Sequence, residues 1–135
     1  MSRTGLLPEH EQALQEEVNQ WLNKRYPMDF NSYQRVAKTT AIYPATHKIL
    51  YPALGLAGEA GEVANKVKKI IRDGTDTMPD DWKEQIGSEI GDVLWYCAAL
   101  ANDLGISLGR IAAQNEIKLA KRKREGMISG SGDSR

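Results

Sequence analysis

Apolar residues recur at three- and four-residue intervals along most of the chain, the spacing that gathers them on one face of an α-helix. Leu14, Val18, Trp21 and Leu22, with Glu and Gln between them, predict a first helix over residues 8–24. Tyr26-Pro27-Met28-Asp29 breaks it, because a proline disfavours helical geometry in the residue before it. Asn31 has the side chain of an N-cap and predicts a short second helix through Val36 to Ala41. Tyr43-Pro44 and Tyr51-Pro52 then punctuate an aromatic, poorly periodic stretch.

Two long helices follow. Leu54, Ala60, Val63, Val67, Ile70 and Ile71 predict one over residues 53–72, stopped by Gly74. The next covers residues 79–104: Pro79 suits a first turn, Asp80 and Asp81 complement the helix dipole there, and Gly105 ends it. Ser107 caps a last helix through Ile111, Ile117 and Leu119 to Glu125. No segment alternates at period two. The expected fold is an all-α bundle of four to five helices in one domain, residues 1–125. A Gly/Ser-rich tail, residues 126–135, has little to bury and is expected to be disordered.

Composition narrows the class. At 135 residues the chain fits one domain, and 18 Lys+Arg against 18 Asp+Glu give zero net charge, which argues against a dedicated nucleic-acid coat protein. The single cysteine, Cys97, excludes an internal disulfide framework and a Cys-based zinc site, and fits a reducing compartment. No apolar run approaches the roughly 20 residues that span a bilayer. The opening MSRTGLLPEHEQ lacks the apolar stretch of a signal peptide. A cytoplasmic protein with no membrane partner is expected.

The chemistry concentrates on the two long helices. Glu59-Ala-Gly-Glu62 and Glu89-Ile-Gly-Asp92 each place two acids three residues apart, on one helix face. Lys66 stands four beyond Glu62, but Glu59, Glu89 and Asp92 have no basic residue four away. Glu89 sits inside the apolar series Ile86, Ile90, Val93, Leu94, Cys97, Leu100, and Asp92 borders it. Burying ionised carboxylates is costly unless they are paired or bind a metal. A divalent ion with oxygen ligands, Mg²⁺ or Mn²⁺, resolves the conflict. Ala60, Gly61 and Gly91 would let the helix backbones approach, which offsets the roughly 1 kcal/mol that a mid-helix Gly costs. The competing reading is ordinary: one such acid pair is usually solvated surface, and Glu62 with Lys66 can be a plain ion pair. A di-iron bundle fits less well, since those sites use Glu-x-x-His and neither His10 nor His47 lies in a quartet.

These quartets, with the flanking YPALGLAGEAGEVANKVKKIIRDG and EIGDVLWYCAALANDLGISL, resemble the ExxE…ExxD signature of the all-α nucleoside triphosphate pyrophosphohydrolases, the MazG-like branch above all. Asn115-x-x-Lys118-Leu119-x-x-Arg122 resembles that family's basic motif on the following helix. The resemblance covers residues 51–124 and is closest to the compact single-domain bacterial and phage type. It implies hydrolysis of a nucleoside triphosphate to a monophosphate and pyrophosphate, in the service of the nucleotide pool. Relatives acting on dUTP, dCTP or phosphoribosyl-ATP belong to the same superfamily. It also implies Mg²⁺ held by Glu59, Glu62, Glu89 and Asp92 between the two long helices, Glu59 as general base, and dimers or tetramers. Asn115, Lys118 and Arg122 would then face phosphate.

Other residues have two readings each. Lys118 to Arg124 is a basic run where cations suit a helix C-terminus in any case. Lys66 and Lys69 can reach phosphate or form salt bridges. Tyr96, one turn beyond Asp92, can bound the base or belong to the core. Trp21, Trp82, Trp95 and Cys97 read as packing, while Tyr33, Tyr43, His47 and Tyr51 are candidate base contacts. Two rivals remain: a non-catalytic oligomer pairing acids with a neighbour's basic helix, and nucleic-acid binding through KLAKRKR. The second ranks last, because that run lacks interleaved aromatics.

Overall fold

The structure, a computed structural model, describes residues 8–25 and 27–129. Five α-helices run in chain order: α1 (Pro8–Arg25), α2 (Phe30–Lys38), α3 (Leu50–Asp73), α4 (Trp82–Leu104) and α5 (Leu108–Arg124). Short 3₁₀ turns at Ala45–His47 and Thr75–Thr77 precede the two long helices. No strand occurs among the described residues, and the fold is an all-α bundle. Tyr26, placed in the break after the first helix, lies outside the described residues.

The helix ends show where local chemistry outweighs spacing. The N-cap of α2 is Asp29, not Asn31: its Oδ1 accepts the Ser32 N–H at 2.8 Å. The helix stops at Lys38, with the Thr39 N–H folding back on Val36. Asn31 instead reaches α5, where its Oδ1 accepts from the Ser107 hydroxyl and the Gly109 N–H. The expected start of α3 at residue 53 is three residues late. Pro52 falls in the first turn, where its missing N–H would have had no intrahelical acceptor. Conversely, α4 begins at Trp82, because Pro79, Asp80 and Asp81 form a turn closed by the Trp82 N–H on the Pro79 carbonyl. Ser107 caps α5 as expected, and Gly74 and Gly105 end α3 and α4 with φ of 79° and 67°. At the far end Gly126 takes φ 68°, and the Met127 N–H donates to the Arg122 carbonyl. Residues 130–135 of the tail lie outside the described residues.

The packing centres on α4, which lies against α3, where Lys66 meets Glu89 and Gly55 meets Tyr96, and against α2, where Asn102 donates to the Gln34 carbonyl. Small residues make this possible: Ala37, Ala98 and Ala101, with Leu108, form the buried cluster, edged by Tyr33, Trp95 and Cys97. Gln34 ties α2 to the α4–α5 turn by donating to the Ile106 carbonyl and accepting from the Leu108 N–H. Trp95 packs as expected and donates its indole N–H to Thr40 at 2.7 Å. Trp21 does not join a core: it is 54% exposed, and Leu14, Val18 and Leu22 are similarly open.

Candidate metal centre

Two adjacent turns of α4 and one of α3 build the acidic site. Glu59 from α3 and Glu89 and Asp92 from α4 bring one carboxylate oxygen each within 4.8 Å of one another. Glu59 and Glu89 are half-buried and Asp92 is exposed. Burial is the first cause that raises the Glu59 carboxyl above its ordinary pKa, followed by the negative charges of Asp92, Glu89 and Glu62. Glu62 thus lies close enough to be felt by Glu59, but its oxygens are not among the three that converge.

Lys66 supplies a cation that spacing along the chain assigned to Glu62. Its Nζ lies 3.2 Å from Glu89 Oε1, across the α3–α4 interface. Lys66 stands two turns beyond Glu59 on the same face of α3, so a helical wheel of α3 against α4 contains this signal while a four-residue rule does not. Lys69 is exposed; the Asp73 carboxyl is lowered first by its hydrogen bond with Arg72, and the Lys69 charge adds to that lowering.

The glycines of the quartets do not provide the close approach. Nothing lies within 4 Å of where a Cβ would sit on Gly61 or Gly91. The approach occurs one turn earlier, at Gly55, where a Cβ would overlap the Tyr96 ring at Cδ1, Cε1 and Cζ. Tyr96 is wedged between the helices beside the acids. Its phenol is raised by burial, then by Tyr51, then by the charges of Glu59 and Asp92. Tyr33 approaches from α2, its phenol raised by burial and by Asp92, and lines a 180 Å³ cavity with Met28, Asp29, Phe30 and Leu94.

Asn115, Lys118 and Arg122 lie on α5, a different helix from those that carry the acids. Lys118 is exposed, Arg122 half-buried, and Asn115 lines a 480 Å³ depression with Ala112, Leu119 and Ile128 that includes none of the four acids. His47 contacts Thr46 at 3.1 Å. Tyr43 and Tyr51 stack with centroids 4.7 Å apart, and Tyr51 lies 6.4 Å from Tyr96. No local spacing signals this pairing, because it depends on how the Pro44–Ile49 turn folds back.

Three hard oxygen donors without His or Cys suit a divalent cation of the Mg²⁺ or Mn²⁺ type rather than zinc. Counting charges, three carboxylates and the Lys66 ammonium leave a net of two negatives, which one such ion cancels. No helix among the described residues is long and apolar enough to cross a membrane.

Residues 46–127 match the MazG nucleotide pyrophosphohydrolase domain. The chain is 44% identical over 114 residues to the Gene 37 protein of Mycobacterium phage L5, an alignment that covers 80% of this chain and 100% of that protein. No solved structure matches it.

Proposed function

The chain belongs to the MazG nucleotide pyrophosphohydrolase domain family, and we propose that it hydrolyses nucleoside triphosphates between the α and β phosphates, yielding a monophosphate and pyrophosphate. The convergence of Glu59, Glu89 and Asp92 carries this reading. These carboxylates, with Glu62 beside them, would hold Mg²⁺ or Mn²⁺. When bound, such an ion polarises a phosphoryl oxygen and lowers the pKa of water. Glu59 accepts the proton of the attacking water. As the water oxygen bonds to phosphorus, the bridging oxygen leaves with its electron pair. Tyr96, between Glu59 and Asp92, borders the substrate. Lys69, Asn115, Lys118 and Arg122 supply donors for phosphate charge.

We assign the working form to a homodimer or homotetramer. Leu54 is 66% exposed and Ile71 82%, while among the described residues Ala37, Ala98, Ala99, Ala101 and Leu108 are the buried apolar side chains of the core apart from Pro52. So slight a core leaves apolar helix faces for a second copy to cover. The proposed setting is the cytoplasmic nucleotide pool.

Product analysis tests the reaction. A panel of ribo- and deoxyribonucleoside triphosphates is incubated with and without Mg²⁺ and resolved by anion exchange. Equimolar monophosphate and pyrophosphate, formed only with the metal, are expected. Diphosphate and orthophosphate, or no turnover, contradict the proposal; the latter is what a non-catalytic oligomer predicts.

A further inference from the structure

Asp103, in the last turn of α4, receives two hydrogen bonds on one oxygen. Its Oδ2 accepts the Ile49 N–H at 2.8 Å and the Tyr43 hydroxyl at 2.9 Å. Ile49 is the one non-glycine residue with positive φ among the described residues, at φ 68° and ψ −54°. The Leu50 N–H closes on the Lys48 carbonyl at 2.7 Å, which makes this a γ-turn of the rare, strained kind. A β-branched residue adopts such geometry only where its surroundings hold it, and here the holding group is Asp103. The turn launches α3, the helix that carries Glu59.

The second bond has its own consequence. It fixes the Tyr43 ring, which stacks on Tyr51 at 4.7 Å and 18°. Tyr51 leads to Tyr96, and Tyr96 lies beside Glu59 and Asp92. Tyr51 is 46% exposed, so part of its ring is open to a ligand. It precedes Glu59 by eight residues, about 12 Å along the helix axis, within reach of the nucleoside end of a triphosphate whose phosphates lie at the acids. Aromatic faces stack readily on bases.

We infer that Asp103 is a positioning residue for nucleoside recognition: by holding Ile49 and Tyr43 on one oxygen, it fixes the Tyr43–Tyr51 stack against which the nucleoside end of the substrate lies. This rests on the pyrophosphohydrolase reading above. The role belongs to the oxygen, not to its charge, so an amide should serve as well.

The test is steady-state kinetics on wild type, Asp103→Ala, Asp103→Asn and Tyr51→Ala, each checked for helical circular dichroism, with monophosphate and pyrophosphate as product inhibitors. Asp103→Ala and Tyr51→Ala should raise KM and the monophosphate inhibition constant roughly tenfold, with kcat and pyrophosphate inhibition little changed. Asp103→Asn should behave as wild type. Tyr51 is surface-exposed, so its variant carries the test if Asp103→Ala does not fold. An active wild type whose Ala variants keep their KM, weaken pyrophosphate inhibition equally, or are not rescued by Asn overturns this inference alone. A wild type without turnover overturns the pyrophosphohydrolase reading and this inference with it.

Discussion

Lys66 of α3 and Glu89 of α4 form an ion pair of 3.2 Å across the interface that carries the acidic cluster. The pair stands in for part of the positive charge that three converging carboxylates require. It also marks a competition, because Glu89 is shared between the ammonium and any divalent ion.

Removing the ammonium should expose that competition. Lys66→Ala is expected to destabilise the metal-free protein by about 1 kcal/mol, the upper range for a partly exposed pair. Its melting temperature in EDTA should fall by a few degrees. In saturating Mg²⁺ the gap to wild type should close, and thermal melts in both buffers check this.

Glu59 gives the metal-free protein a distinctive pH dependence. Its folded pKa lies above the ordinary 4.5, so between the two values the native chain holds a proton that the unfolded chain has released. Stability from this group therefore falls as pH rises from 4.5 through the raised value, and is constant above it. Glu59→Gln should abolish this component and be the more stable protein in EDTA at neutral pH. Melting curves of both proteins from acid to neutral pH measure the difference.

The glycines divide into two kinds. Gly55→Ala drives a methyl into the Tyr96 ring and should cost about 1–3 kcal/mol. Gly61→Ala and Gly91→Ala meet open space and should gain about 1 kcal/mol each from helix propensity. Denaturant titration reads all three. A loss at Gly61 or Gly91 would show that those helix faces are covered in the assembled protein.

Periodicity made the helices legible, because amphipathic spacing and capping residues act within one turn. Ser107, Gly74 and Gly105 could be read directly. Boundaries failed where two local options competed, as with Asp29 against Asn31 or Pro52 inside a first turn rather than before it. The two acid quartets were visible because three-residue spacing guarantees a shared face. Their partners were not: Lys66 answers Glu89 across helices, Gly55 gives way to Tyr96, and Asp103 holds a turn that begins 60 residues earlier at Tyr43. Such contacts depend on helix rotation and register, which no short window contains.

If Glu59, Glu89 and Asp92 share a divalent cation, the protein alone should bind one. Titration of the protein with Mn²⁺, following loss of the free-ion electron paramagnetic resonance signal, tests it without reference to any substrate. Wild type should bind Mn²⁺, and Glu59→Gln, Glu89→Gln and Asp92→Asn should each weaken that binding at least tenfold, while Glu116→Gln on α5 should not. Equal binding by all five proteins would show that these three carboxylates do not hold the ion.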